Sequence, residues 1–172
     1  MVAKKICIIG DFAVGKSSLV RRFVFDEFDT NYQATLGVNI YKYGTVIKDS
    51  GGQSIEMDQM LWDIEGKPEP DESYRTYLAG SAGALIVGDI TREGAIDSLI
   101  NHGRFYETCR PGRPIVFVLN KADLLDTNAQ GPDSGSLVAA FGEPYLVTSA
   151  KTGSAVVKAF DQLARRIVTV GA

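Results

Sequence analysis

Gly10-Asp11-Phe12-Ala13-Val14-Gly15-Lys16-Ser17 sets two glycines, a lysine and a serine at the spacing G-x-x-x-x-G-K-S. That spacing suits phosphate chemistry. Glycine admits backbone conformations that a Cβ forbids, so successive N–H groups, including that of Ser18, can converge on one anion. Lys16 adds a point charge for terminal phosphates, and the Ser17 hydroxyl is a hard oxygen ligand suited to Mg2+. A second constellation is Asn120-Lys121-Ala122-Asp123. A carboxylate at Asp123 can accept from the ring N–H and the exocyclic amino group of guanine. Adenine offers neither in that arrangement, and an unpaired buried acceptor costs about 1–3 kcal/mol. Asn120 can brace neighbouring loops, and the Lys121 stem can cover one face of a base.

These residues need a frame that brings them to one place. Residues 5–9 read as a buried strand leading into the glycine loop, and residues 17–24 carry Leu19, Val20, Phe23 and Val24 at helical spacing. A strand, a glycine loop and a helix aim the positive end of the helix dipole at a phosphate. Residues 25–36 are polar and turn-rich, a loop containing Phe28, Tyr32 and Thr35. Residues 37–47 and 55–62 are rich in β-formers around a turn at 49–52, which predicts one antiparallel hairpin. After Pro68 and Pro70, residues 71–80 suit a short helix. Residues 84–88 and 115–119 are further apolar strands; Thr91 is placed to cap a helix whose inner face holds Ile96, Leu99 and Ile100. A helical piece at 137–141 and a short strand at 144–147 follow. The final helix puts Val156, Val157, Phe160, Leu163, Ala164 and Ile167 on one face. Apolar strands alternating with amphipathic helices predict an α/β fold with a mostly parallel sheet covered on both faces. Gly10, Asp63, Asp89 and Asn120 stand at strand ends, where such sheets bind ligands.

Composition narrows the classes further. The 172 residues, with no repeat or linker, suit one domain over 1–172. A net charge of -3 gives no basic field for nucleic acid. No apolar run is long enough to span a bilayer, and Met1 leads straight into the first strand. Cys7 and Cys109 are the two cysteines and are expected as free thiols in a reducing cytoplasm. The terminal Val168-Thr169-Val170-Gly171-Ala172 holds no cysteine, so no intrinsic lipid anchor is expected and membrane recruitment would go through a partner.

The ordered set of phosphate loop, Thr35-Leu36-Gly37-Val38, Trp62-Asp63-Ile64-Glu65-Gly66, Asn120-Lys121-Ala122-Asp123 and Ser149-Ala150-Lys151 resembles the Ras-like small GTPases, closest to the Rab-type branch and its bacterial relatives. The resemblance runs over nearly the whole chain. It implies a P-loop NTPase fold, the small G domain, with a mostly parallel six-stranded sheet and one antiparallel edge strand. It implies a molecular switch that binds GTP and GDP with Mg2+ and hydrolyses GTP. Carried over, Thr35 would ligate Mg2+ and sense the γ-phosphate, Asp63 would hold Mg2+ through water, and the Gly66 N–H would meet the γ-phosphate. Phe28 would pack on the guanine, the Ala150 N–H would contact its O6, and Tyr32 would lie over the phosphates. The segments around Thr35 and Gly66 would be the switches. An effector, an exchange factor and a GTPase-activating protein are the implied partners.

The pattern departs from the family at the catalytic step. Where the family reads Thr-Ala-Gly-Gln, this chain reads Ile64-Glu65-Gly66-Lys67. A protonated Lys67 only donates, so it cannot orient water as glutamine does. Glu65 sets an acid near the γ-phosphate, and Phe12 has the bulk to obstruct an arginine supplied in trans. Three readings stay open. One is slow hydrolysis helped by a partner's water-positioning group. Another is a GTP-binding scaffold with negligible turnover. In the third, Glu65 orients the water while Lys67 neutralises phosphate charge. A solvent-facing Lys67 on a mobile loop suits the first two. Elsewhere the bland readings lead: a surface position for His102, solvated helix faces for Arg21-Arg22 and Arg165-Arg166, and packing for Met60 and Trp62. Tyr41 and Tyr43 are candidates for an effector surface.

Overall fold

Successive side chains of a strand point to opposite faces, and β1 (Val2–Gly10) uses this to feed two cores. Ile6 and Ile8 enter one, Cys7 and Ile9 the other. The structure, a computed structural model, describes residues 2–49 and 51–171. Ser50 of the expected hairpin turn, Met1 and Ala172 lie outside the described residues.

The remaining strands are β2 (Val38–Lys48), β3 (Ser54–Ile64), β4 (Gly83–Asp89), β5 (Ile115–Asn120) and β6 (Leu146–Val147). The helices are α1 (Lys16–Phe25), α2 (Glu72–Leu78), α3 (Ala95–Cys109), α4 (Gly135–Phe141) and α5 (Val156–Val170). The six strands form one sheet in the order β2-β3-β1-β4-β5-β6. Only the β2–β3 pair is antiparallel, with Val38 opposite Ile64, so β2 is the expected antiparallel edge. Every residue of β4 is buried, which is why it reads as a continuous apolar run.

On one face α1 and α5 cover the sheet, and Phe23 stacks on Phe160 at 4.2 Å. On the other, α2 and α3 bury Tyr74, Leu78, Leu99 and Tyr106. The apolar face of α5 matches the expectation except at Val157, which is 57% exposed. Helical spacing turns it away, and Ala159 takes its place in the core.

Two expectations about caps are resolved differently. Thr91 does not cap α3, whose N-cap is Gly94. The Thr91 N–H and hydroxyl both donate to Asp89 Oδ1, at 2.9 and 2.6 Å, closing a turn before the helix starts. Asp71, expected inside α2, is its N-cap and accepts from the Ser73 N–H at 2.9 Å.

Candidate nucleotide site

The carboxyl ends of β1, β3, β4 and β5 come to one rim: Ile8 is opposite Asp63, Gly10 opposite Val87, and Asp89 opposite Asn120. Between β1 and α1 the chain turns through Gly10 (φ 153°), Ala13 (φ 58°) and Gly15 (φ 96°). Gly10 is required for space as well as φ, since a Cβ would lie 2.1 Å from the Val87 carbonyl oxygen. Ala13 holds a left-handed conformation without glycine's freedom, at a cost of about 1–2 kcal/mol.

Lys16 is 6% exposed, and its Nζ donates to the carbonyls of Asp11 (2.6 Å) and Gly10 (3.2 Å). Burial lowers its pKa to about 8, against the raising influence of Asp63 and Asp11. Beside it, Ser17 Oγ lies 2.7 Å from Thr35 Oγ1 and donates to Asp63 Oδ2 at 2.5 Å. Burial raises the Asp63 pKa, partly offset by the Ser17 hydrogen bond. Asp63 Oδ1 is buried without a partner. Three hard oxygen ligands meet here, one carboxylate carrying an unsatisfied lone pair, and this donor set fits Mg2+.

The second constellation closes the other end. Asn120 Nδ2 donates to the Val14 carbonyl at 3.1 Å, while its Oδ1 accepts from Thr148 Oγ1 (3.2 Å) and the Ala150 N–H (3.1 Å). Lys121 reaches back so that its Nζ meets the Ala13 carbonyl at 2.7 Å and Asp89 Oδ2 at 2.8 Å. Ser149 Oγ donates to Asp123 Oδ1 at 2.7 Å and fixes the carboxylate.

Between these ends lies a cavity of about 690 Å³, within the range of small-molecule sites. Of the anticipated residues, Phe12, Ala13, Gly15, Lys16, Ser17, Ser18, Phe28, Tyr32, Thr35, Gly66, Asn120, Lys121, Asp123, Ala150 and Lys151 line it. Phe12 and Tyr32 meet edge to face at 5.7 Å over its mouth. Val14, Asp63 and Ser149 stand behind the lining and support it. The Asp11 side chain turns away, to Ser98 Oγ (2.8 Å) and His102 Nε2 (3.0 Å). Burial alone would raise the Asp11 pKa; these hydrogen bonds outweigh it and hold the carboxyl below its usual range.

Glu65 and Lys67 are also held away from the cavity. Glu65 Oε2 accepts from the Gly37 N–H at 3.2 Å, and its backbone N–H donates to the Gly37 carbonyl at 2.8 Å. Lys67 Nζ donates to Asp71 Oδ2 (2.9 Å) and Ser73 Oγ (2.6 Å), and its other carboxylate neighbour is Glu65 at 3.7 Å. The hydrogen bond to Asp71 raises the Lys67 pKa. Asp71 is lowered to about 2 by the Ser73 hydroxyl first and Lys67 second.

Other expectations need correcting. His102 is not on the surface but fully buried, packed edge to face near Tyr74 and bound to Asp11. Arg22 is no solvated helix residue: it binds the Ala150 and Lys151 carbonyls at 2.8 and 2.7 Å. Arg166 likewise holds the Ile115 carbonyl and Glu143. Trp62 packs against the α2–α3 core and carries Lys5 Nζ 3.5 Å above its ring. Arg21 and Leu124 line the cavity without having been anticipated. For Leu124 a signal existed, an apolar residue next to Asp123; for Arg21 there was none.

A sheet of this topology with a glycine loop between β1 and α1 defines a P-loop nucleotide-binding domain. The Ras family model matches residues 5–169. The chain is 38% identical to Ras-related protein RABA5b of Arabidopsis thaliana over 95% of its length and 74% of that protein. It is 34% identical to human Ras-related protein Rab-8B over 96% of this chain and 78% of that one. Against human Ras-related protein Rab-22A the identity is 32%, over 98% and 85%. The chain belongs to the Ras family. It is therefore a Rab-like GTP-binding switch protein, in a family whose general reaction is GTP hydrolysis and whose members work with effectors, exchange factors and activating proteins. Among the described residues no helix is long and apolar enough to cross a membrane.

Proposed function

We propose that this chain, as one domain, binds GTP and GDP with Mg2+ and hydrolyses GTP slowly. The observation that carries the reading is the meeting, on one cavity, of the phosphate loop, the Ser17–Thr35–Asp63 oxygens and the Asp123 carboxylate. Main-chain N–H groups of residues 13–18 and Lys16 hold the phosphates. Ser17 and Thr35 ligate the metal, and Asp63 accepts from its water. Mg2+ would supply charge neutralisation between the β- and γ-phosphates. Asp123 accepts from the purine's ring N–H and amino group, Lys121 covers one face of the ring and Phe28 packs on it. Thr35 and the Gly66 N–H report the γ-phosphate and couple it to the two switch segments. The reaction is in-line attack of water on the γ-phosphorus, helped by positioning and charge.

The side chains after Asp63 set the rate. Lys67 is committed to Asp71 and Ser73, and Glu65 to the Gly37 N–H. Neither is aimed at an attacking water, which favours slow intrinsic turnover, and a scaffold without turnover as the second reading, over Glu65 as the water-orienting group. Single-turnover release of the γ-phosphate, with and without cell extract, tests this. Slow release accelerated by extract supports the first reading, and none in either condition supports the second. Rapid release by the purified chain, abolished in Glu65→Ala with nucleotide affinity intact, overturns both. Partners would include an effector, an exchange factor and an activating protein, with a cytoplasmic location and any membrane recruitment through a partner.

A further inference from the structure

We propose that Arg22 is a positioning residue for purine specificity: it turns the Ala150–Lys151 peptide so that the Lys151 N–H faces the cavity and donates to O6 of the base. The proposal rests on the guanine site described above and assigns a part of it to a residue that touches no nucleotide.

Arg22 sits on α1, the helix that starts at Lys16, and only 18% of its side chain is exposed. Every nitrogen of its guanidinium is used. Nε donates to the Ala150 carbonyl at 2.8 Å and Nη2 to the Lys151 carbonyl at 2.7 Å. Nη1 donates to the Asp26 carbonyl at 3.0 Å and to its carboxylate at 2.9 Å. Asp26 ends α1 in a left-handed conformation (φ 54°), so one side chain joins the end of this helix to a loop 128 residues further along the chain. A planar five-donor fork suits two successive carbonyls as an ammonium does not.

Peptide geometry converts this clamp into a direction. In a trans peptide the N–H points opposite to the C=O of the same unit, and no cis bond occurs among the described residues. Holding the Ala150 carbonyl against Arg22 therefore turns the Lys151 N–H to the other side, where Ala150 and Lys151 line the cavity beside Asp123. The Ala150 N–H is already given to Asn120 Oδ1 at 3.1 Å. Among the described residues the Lys151 N–H meets no acceptor. With Asp123 as the acceptor next to it, this donor completes the edge pattern that guanine presents: oxygen, ring N–H, amino group.

The test compares three nucleotides on wild type, Arg22→Ala and Arg22→Lys in magnesium buffer. They are GDP, 6-thioguanosine diphosphate (altered only at O6) and inosine diphosphate (lacking only the amino group). In Arg22→Ala the preference for GDP over the 6-thio analogue should fall about 3- to 10-fold, the worth of one hydrogen bond. The preference for GDP over inosine diphosphate, read by Asp123, should stay within about 2-fold. Arg22→Lys, keeping one contact, should fall between, and it serves alone if the alanine variant does not fold. Equal erosion of both preferences would mean general loosening and overturn the proposal, as would no change in either. A wild type that does not prefer GDP to ADP overturns the guanine site itself, a separate failure visible before any variant is made.

Discussion

Replacing Gly66 with alanine asks whether the backbone after β3 senses the terminal phosphate. Gly66 has no positive φ, so what the position requires is space. A Cβ there would lie 2.5 Å from Phe12 Cα, 2.6 Å from the Asp11 carbonyl oxygen and 2.7 Å from Phe12 N. Those atoms are main chain of the phosphate loop and cannot swing aside. The segment must retreat until contacts reach about 3.5 Å, a shift of about 1 Å. The Lys67 N–H to Gly10 carbonyl bond, already 3.3 Å, breaks in that move. The Gly66 N–H recedes from the γ-phosphate by the same amount. A charge-assisted hydrogen bond contributes about 1.5–3 kcal/mol, so affinity for a non-hydrolysable GTP analogue should fall about 10- to 150-fold. GDP has no γ-phosphate, and its affinity should stay within about 3-fold. Displacement of fluorescent GDP by the analogue and by GDP gives the ratio. An unchanged ratio would refute the assignment of this N–H, whether both affinities drop together or neither does.

Lys67→Gln restores a side chain that both accepts and donates, and single-turnover hydrolysis should rise at least about 10-fold; no increase would show that Lys67 is not what limits the rate. Nucleotide affinity should fall with rising pH above about 8, because the empty site lets buried Lys16 lose its proton there while bound phosphate restores it. The sign is proton uptake on binding, which calorimetry in buffers of different ionisation enthalpy detects; binding that releases protons at that pH contradicts it. Cys7 is fully buried and its thiol is pushed up to about 12 by burial, whereas Cys109 is only half-buried. A thiol reagent at pH 8 should modify one cysteine in the native protein and both after denaturation.

The phosphate loop and the strands were legible because their signals are local. Two glycines and a lysine at fixed spacing, or seven consecutive buried residues in β4, need no knowledge of distant partners. His102 was misplaced because its burial depends on Asp11, 91 residues away, and a single polar residue on a helix carries no sign of that. Arg22 reads as a solvated helix residue for the same reason, since its carbonyl partners lie on the far side of the sequence. Thr91 shows a different failure. Its cap-like position before the α3 pattern is real, but Asp89 competes for both of its donors and the helix starts later, at Gly94. The departures at Glu65 and Lys67 were visible as residue types, but their partners Gly37, Asp71 and Ser73 became known only from coordinates.

Competition for labelled GDP by GTP and by ATP, in magnesium buffer on the folded chain, bears most directly on the central claim. A phosphate cradle paired with Asp123 predicts that GTP displaces the label at concentrations at least about 100-fold lower than ATP. Equal displacement by the two would contradict it.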